Sequence, residues 1–241
     1  GLSLADLVER HGPLPPERVV HLLRQVCAAL HEAHGQGLIH RDLKPANIFA
    51  AQRGGIEDVA KLLDFGLVRQ TGDGPGESQL LVGSPPYMSP EQAAASAALD
   101  PRSDIYALGA VAYCLLTGQP PFRCDTVQEY VQAHLRQPVL PPALVQPGVP
   151  PDLERVVLCC LEKVPDRRFP DVAALDRALG TCACAEQWTA ARAAQWWQAQ
   201  RATLDSAGLP GAASWPSHAE PAPSPRPEQT VRVVMPGLGD S

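Results

Sequence analysis

The stretch from Ser103 to Gly118 limits the possible folds of this chain more than any other. A helix opening at Ser103 or Asp104 and closed by Gly118 carries Ile105, Tyr106, Leu108, Val111, Ala112, Leu115 and Leu116 around almost its whole circumference. With no polar face to offer water, it is stable only at the centre of a body made by other elements. The chain has the material for that body. Hydrophobic residues make up 45% of the 241 and charged residues 19%, which suits a globular protein and excludes a wholly disordered one.

The surrounding elements are also legible. Pro15-Pro16-Glu17 opens a helix in which Val19, Val20, Leu22, Leu23, Val26 and Leu30 recur at helical spacing, and Gly35 closes it. Apolar periodicity predicts further helices over 126–136, 152–162 and 171–179. Two short strands, 48–50 and 59–63, flank a Gly54-Gly55 turn. The fold class is therefore mainly α, with very few strands. From Gly208 to Pro227 the chain carries Pro210, Pro216, Pro221, Pro223, Pro225 and Pro227 with almost no large apolar residue, and cannot bury enough surface to order itself. Three parts follow: a folded body over 1–180, a helical extension over 181–204, and a Pro-rich disordered tail over 205–241. A helix over 186–201 bears Trp188, Trp196 and Trp197, whose simplest use is to pack back on the body.

Charge and composition exclude several classes of function. A net charge of −6 argues against binding nucleic acid through a basic surface. No apolar run reaches the ~18 residues of a membrane span, and the start Gly1-Leu2-Ser3-Leu4 has no basic-then-apolar leader. Seven cysteines, an odd number, read as reduced thiols, and the expected location is cytoplasmic. His31 and His34, near the end of the first long helix, read as solvated or capping side chains rather than metal ligands.

Between the first long helix and the central one lies a dense set of polar residues in apolar surroundings. His40-Arg41-Asp42-Leu43-Lys44-Pro45-Ala46-Asn47 is followed by Asp64-Phe65-Gly66, 22 residues beyond Asp42, and then by a run from Gly83 to Glu91. Phosphoryl transfer needs one carboxylate to orient an attacking hydroxyl and take its proton. It also needs a second carboxylate and an amide oxygen to hold Mg²⁺, and a cation to offset charge on the moving group. Asp42, Asp64, Asn47 and Lys44 can fill those roles, and the strand ending at Leu63 would deliver Asp64 beside the loop.

At these residues the chain resembles the eukaryotic-type protein kinase family, from about Leu2 to Leu179. HRDLKPAN matches the family's catalytic loop, DFG its metal-binding motif, and Ser89-Pro90-Glu91 stands where APE is usual. The resemblance implies that Asp42 is the catalytic base, that Lys44 contacts the γ-phosphate of ATP, and that Asn47 and Asp64 bind Mg²⁺. It further implies that Phe49 lies under the adenine, Asp104 anchors the catalytic loop, and Arg168 pairs with Glu91. Lys44 two residues after the base, and Ser84 before Pro85 with a hydroxyl able to bond Asp42 and Lys44, look like the serine/threonine branch. GSPPYMSPEQ resembles its bacterial members, so the implied partners are ATP and a protein bearing a Ser or Thr acceptor. Arg41 beside the base marks kinases whose activation loop is phosphorylated, which makes Thr71 or Ser78 the expected site.

The family also has an N-terminal β-lobe with a Gly-rich loop and a strand lysine. Only 39 residues precede His40, and that lobe would need roughly 60 more. The expectation is thus a kinase-like C-terminal lobe with the N-terminal β-lobe absent. Two functions compete: a fragment of an active serine/threonine kinase, poorly active by itself, or an inactive lobe used as a regulatory or docking module. Retention of all four polar residues favours the first.

Overall fold

A computed structural model describes residues 1–63, 83–96 and 99–200 in full, and the backbone alone at 69–70, 80–81, 201–206 and 233–234. The order is β1 (Leu2–Ser3), α1 (Leu4–His11), α2 (Pro16–Gly35), β2 (Leu38–Ile39), β3 (Ile48–Arg53), β4 (Ile56–Leu62), β5 (Arg69–Gln70), β6 (Leu80–Leu81), α3 (Pro90–Ala93) and α4 (Arg102–Thr117). Then come α5 (Val127–Arg136), α6 (Pro142–Val145), α7 (Pro151–Cys160), α8 (Val172–Gly180), α9 (Ala190–Ser206) and β7 (Val233–Val234).

α4 is the central helix, buried at every residue from Ser103 to Thr117. It ends at Gly118, whose φ of 79° is the left-handed conformation that a helix C-terminus takes most cheaply with glycine. α1, α2, α6, α7 and α8 pack around it. At Gly109 the approach of α7 is so close that an added Cβ would stand 2.5 Å from Cβ of Cys160.

A three-stranded antiparallel sheet, ordered β1-β3-β4, lies beside this bundle with Leu2 opposite Ala50 and Ile48 opposite Leu62. Arg53 pairs with Ile56 across Gly54 and Gly55, both at positive φ, which is the two-residue hairpin turn whose twist suits antiparallel strands. Ile48 and Ala50 point into the core, so Phe49, between them, faces away from it. Among the described residues, two small antiparallel pairs, β2 with β5 and β6 with β7, complete the topology.

Both strands of the main hairpin run further toward the turn than the 48–50 and 59–63 expected from sequence, and α1 is an additional helix. Its signal was present: Ser3 accepts from the Asp6 N–H while Asp6 accepts from the Ser3 N–H, a capping box. α9 starts later than expected, at Ala190, and runs to Ser206; of the proline-rich stretch, residues 207–232 and 235–241 lie outside the described residues.

α9 and the approach to it are fastened to the body by an unusual cluster. Arg18 of α2 and Asp58 of β4, each with no exposed surface, form a bidentate pair with both distances 2.8 Å. Trp188 and Trp197 each donate an indole N–H to the same carboxylate, at 2.9 and 2.7 Å. The Arg18 guanidinium lies 3.8 Å from the centre of the Trp196 ring. Asp58 thus accepts four charge-assisted bonds, and Arg18 stacks on the aromatic faces that exclude water from the pair.

Candidate active site

The loop from His40 to Asn47 crosses from β2 to β3 over the end of α4, and the fold fixes its backbone before its side chains. Asp104, at the start of α4 and fully buried, accepts from the backbone N–H of His40 and of Arg41, each at 2.9 Å. Its third partner is His34 Nε2 at 2.8 Å. His34 is therefore not the solvated or capping side chain expected from sequence but a partly buried partner of the loop's anchor. Arg41 adopts φ of 68°, which costs a non-glycine residue about 1 kcal/mol or more. The two Asp104 bonds hold that conformation, as does the Arg41 carbonyl, which accepts from Gln92 Nε2 at 2.7 Å.

With the backbone set, Asp42 comes to lie among three other groups. Ser84 Oγ donates to Asp42 Oδ1 at 2.7 Å. Asn47 Nδ2 donates to the Asp42 carbonyl at 2.9 Å and to Asp42 Oδ2 at 3.3 Å. Lys44 Nζ stands 3.5 Å from Asp42 Oδ2, with both side chains about nine-tenths covered. The serine bonds the carboxylate, as expected; for Lys44 the nearby partner is Asp42. Since the Asp42 N–H donates to His40 Nδ1 at 3.3 Å, the proton of that ring sits on Nε2, which donates to the Leu63 carbonyl at 3.1 Å. Leu63 N–H in turn donates to the Asn47 carbonyl at 2.9 Å. These bonds tie the end of β4 to the His40–Asn47 loop. Asp64, Phe65 and Gly66, and with them Thr71 and Ser78, lie outside the described residues.

Phe49, half-buried, sits on β3 opposite Ser3 and Lys61, on the sheet face turned from the core. What the site can do chemically follows from Asp42, Lys44 and Asn47. A carboxylate held by a hydroxyl and an amide is oriented to accept a proton, and an ammonium beside it offsets developing negative charge. Asn47 spends its amide N–H donors on Asp42, which leaves its oxygen, a hard donor of the kind Mg²⁺ takes.

Behind the site, Arg168 uses all five of its N–H groups. Two go to Glu91 at 2.8 Å each, and the others to the carbonyls of Glu162, Arg102 and Lys163. Burial pushes the Glu91 carboxyl up, but the Arg168 and Ser103 bonds outweigh it and hold the group below its ordinary value. The pair implied by the resemblance is formed. Sequence reasoning missed Gln92, His34 and the buried His134, because nothing in a single sequence distinguishes a histidine that serves a loop from one that faces water.

Comparison with known proteins agrees with this geometry. The protein kinase domain family matches residues 1–178. The serine/threonine-protein kinase PknB of Mycolicibacterium smegmatis is 39% identical over 176 residues, covering 72% of this chain and 27% of that protein. The serine/threonine-protein kinase Pkn1 of Myxococcus xanthus is 43% identical over 174 residues, covering 69% of this chain and 24% of that protein. The chain therefore spans about a quarter of the length of these relatives. With the family matched over nearly three-quarters of its residues and the catalytic-loop side chains converging as they do, this chain belongs to the protein kinase domain family.

Proposed function

We propose that residues 1–180 form the helical C-terminal lobe of a serine/threonine protein kinase, which transfers a phosphoryl group from Mg-ATP to a Ser or Thr hydroxyl of a protein. The observation that carries this reading is the convergence on Asp42 of Ser84 Oγ at 2.7 Å, Asn47 Nδ2 at 3.3 Å and Lys44 Nζ at 3.5 Å. In this reading Asp42 accepts the proton of the attacking hydroxyl. Ser84 and Asn47 keep its carboxylate from rotating away, and Lys44 faces the γ-phosphate. Asn47 and Asp64 would hold the metal, and Phe49 would contact the adenine. When bound, Mg-ATP supplies the phosphoryl group and the charge that neutralises its oxygens.

The bacterial relatives named as serine/threonine-protein kinases support the choice of acceptor. All seven cysteines are free thiols, which supports a reducing, cytoplasmic setting. Among the described residues no helix is long and apolar enough to cross a membrane.

The test is phosphate transfer to a serine-containing protein, assayed with this chain and with any coding sequence found upstream of Gly1. Asp42→Ala is expected to lower kcat by ~10²- to 10⁴-fold. Full activity in the variant would overturn the assignment. A protein that binds partners but never transfers phosphate would instead indicate a docking module.

A further inference from the structure

A largely buried chain of hydrogen bonds leads from Lys163 to the edge of the candidate active site, and the resemblance to kinases assigns its central member no role. His134, on α5, has no exposed surface and lies edge-on to the rings of Tyr106 and Phe122. Its Nδ1 lies 2.9 Å from the Tyr106 hydroxyl and its Nε2 lies 3.0 Å from the Pro85 carbonyl. The carbonyl can only accept, so the ring proton is on Nε2 and Nδ1 accepts from the Tyr106 O–H. Lys163 Nζ then donates to the Tyr106 oxygen at 3.5 Å and to the Ala133 carbonyl at 3.2 Å. Every donor in the series points the same way, toward Pro85.

Pro85 is the residue after Ser84, whose hydroxyl holds Asp42. It also opens a short 3₁₀ turn, Pro85–Tyr87, in which the Tyr87 N–H donates to the Ser84 carbonyl at 2.9 Å. The His134 bond is thus placed one residue from the group that orients the base. Burial and the nearby Lys163 ammonium push the His134 ring down to about 3, so it stays neutral, with one donor and one acceptor, across the pH range in which a kinase works.

We infer that His134 is a positioning residue for phosphoryl transfer, fixing the Ser84–Pro85 segment so that the Ser84 hydroxyl stays on Asp42. The inference rests on the proposed kinase function, and its test separates the two. His134→Phe fits the aromatic surroundings but has no N–H; His134→Gln restores a donor at about the Nε2 position. Hydrogen exchange in the whole chain needs no catalysis. Exchange of the Tyr87 amide is expected to quicken at least tenfold in His134→Phe and to stay within threefold of wild type in His134→Gln, with α5 protected in both. In the catalytically competent protein, His134→Phe is expected to lower kcat about tenfold, leave KM for Mg-ATP unchanged, and be rescued by His134→Gln. Unchanged Tyr87 exchange in a folded His134→Phe variant overturns the inference, and so does failure of His134→Gln to rescue. Altered exchange in a protein that never transfers phosphate overturns the catalytic half and leaves the kinase reading to fall separately.

Discussion

Replacing Asp58 should damage this protein more than any substitution of an exposed charge. Asp58→Asn keeps the size of the side chain and tolerates the observed φ of 56°, but it removes the charge and turns one oxygen, which accepts from a guanidinium N–H and an indole N–H, into an amide nitrogen that can only donate. It leaves Arg18, with no exposed surface, without its counter-ion, at a cost of ~3–5 kcal/mol. Asp58→Ala should cost somewhat more, because both indole N–H groups also lose their acceptor and alanine is strained at that φ. Against a total stability of ~5–15 kcal/mol, a loss of ~4 kcal/mol lowers the melting temperature by roughly 8–16 °C for a chain of this size. The control is Asp176→Ala, which breaks the half-exposed Arg24 pair and should cost at most about 1 kcal/mol. Trp197→Phe, which retains a ring beside Trp196 but loses the N–H, should fall between them at ~1–3 kcal/mol. Urea and thermal unfolding followed by circular dichroism measure all four, and tryptophan fluorescence reports whether α9 detaches first. If Asp58→Asn unfolds no earlier than Asp176→Ala, the buried pair does not hold the extension and the reasoning fails.

Gly109→Ala should cost ~1–3 kcal/mol by forcing α4 and α7 apart at Cys160, and Cys160→Gly in the same chain should recover part of that loss; additive effects in denaturant titrations would deny the contact. Stability should also fall as pH drops from 6.5 toward 3. The folded His134 ring resists protonation until about 3 while the unfolded one takes a proton near 6.5, so the unfolded state binds more protons throughout that window. The slope from this group is at most ~1.4 kcal/mol per pH unit, and His11 and His21, also lowered chiefly by burial, act in the same direction. Denaturation series between pH 4.5 and 7.5 should be flatter for His134→Gln, and equal slopes would contradict the assignment.

Much of this protein could be reasoned from its residue order. An apolar circumference from Ile105 to Leu116 has one stable placement, the middle of a bundle, whatever surrounds it. The convergence of Asp42, Lys44 and Asn47 was also legible, because they lie within six residues and one tight loop must bring them together. Other features depended on contacts between distant segments. Asp58 sits 40 residues from Arg18 and 139 from Trp197 in the chain, and alone reads as an ordinary hairpin acid. Only burial turns it into the hub that fastens α9. The same holds for His34 on Asp104 and His134 on Pro85, where a ring's role is set by which oxygen the fold places beside it. Periodicity and local spacing determine which faces are buried and which loops carry chemistry, since both act over a few residues. Pairing of buried polar groups is decided by tertiary structure, because a charge or N–H removed from water takes whichever partner the packing brings within about 3 Å.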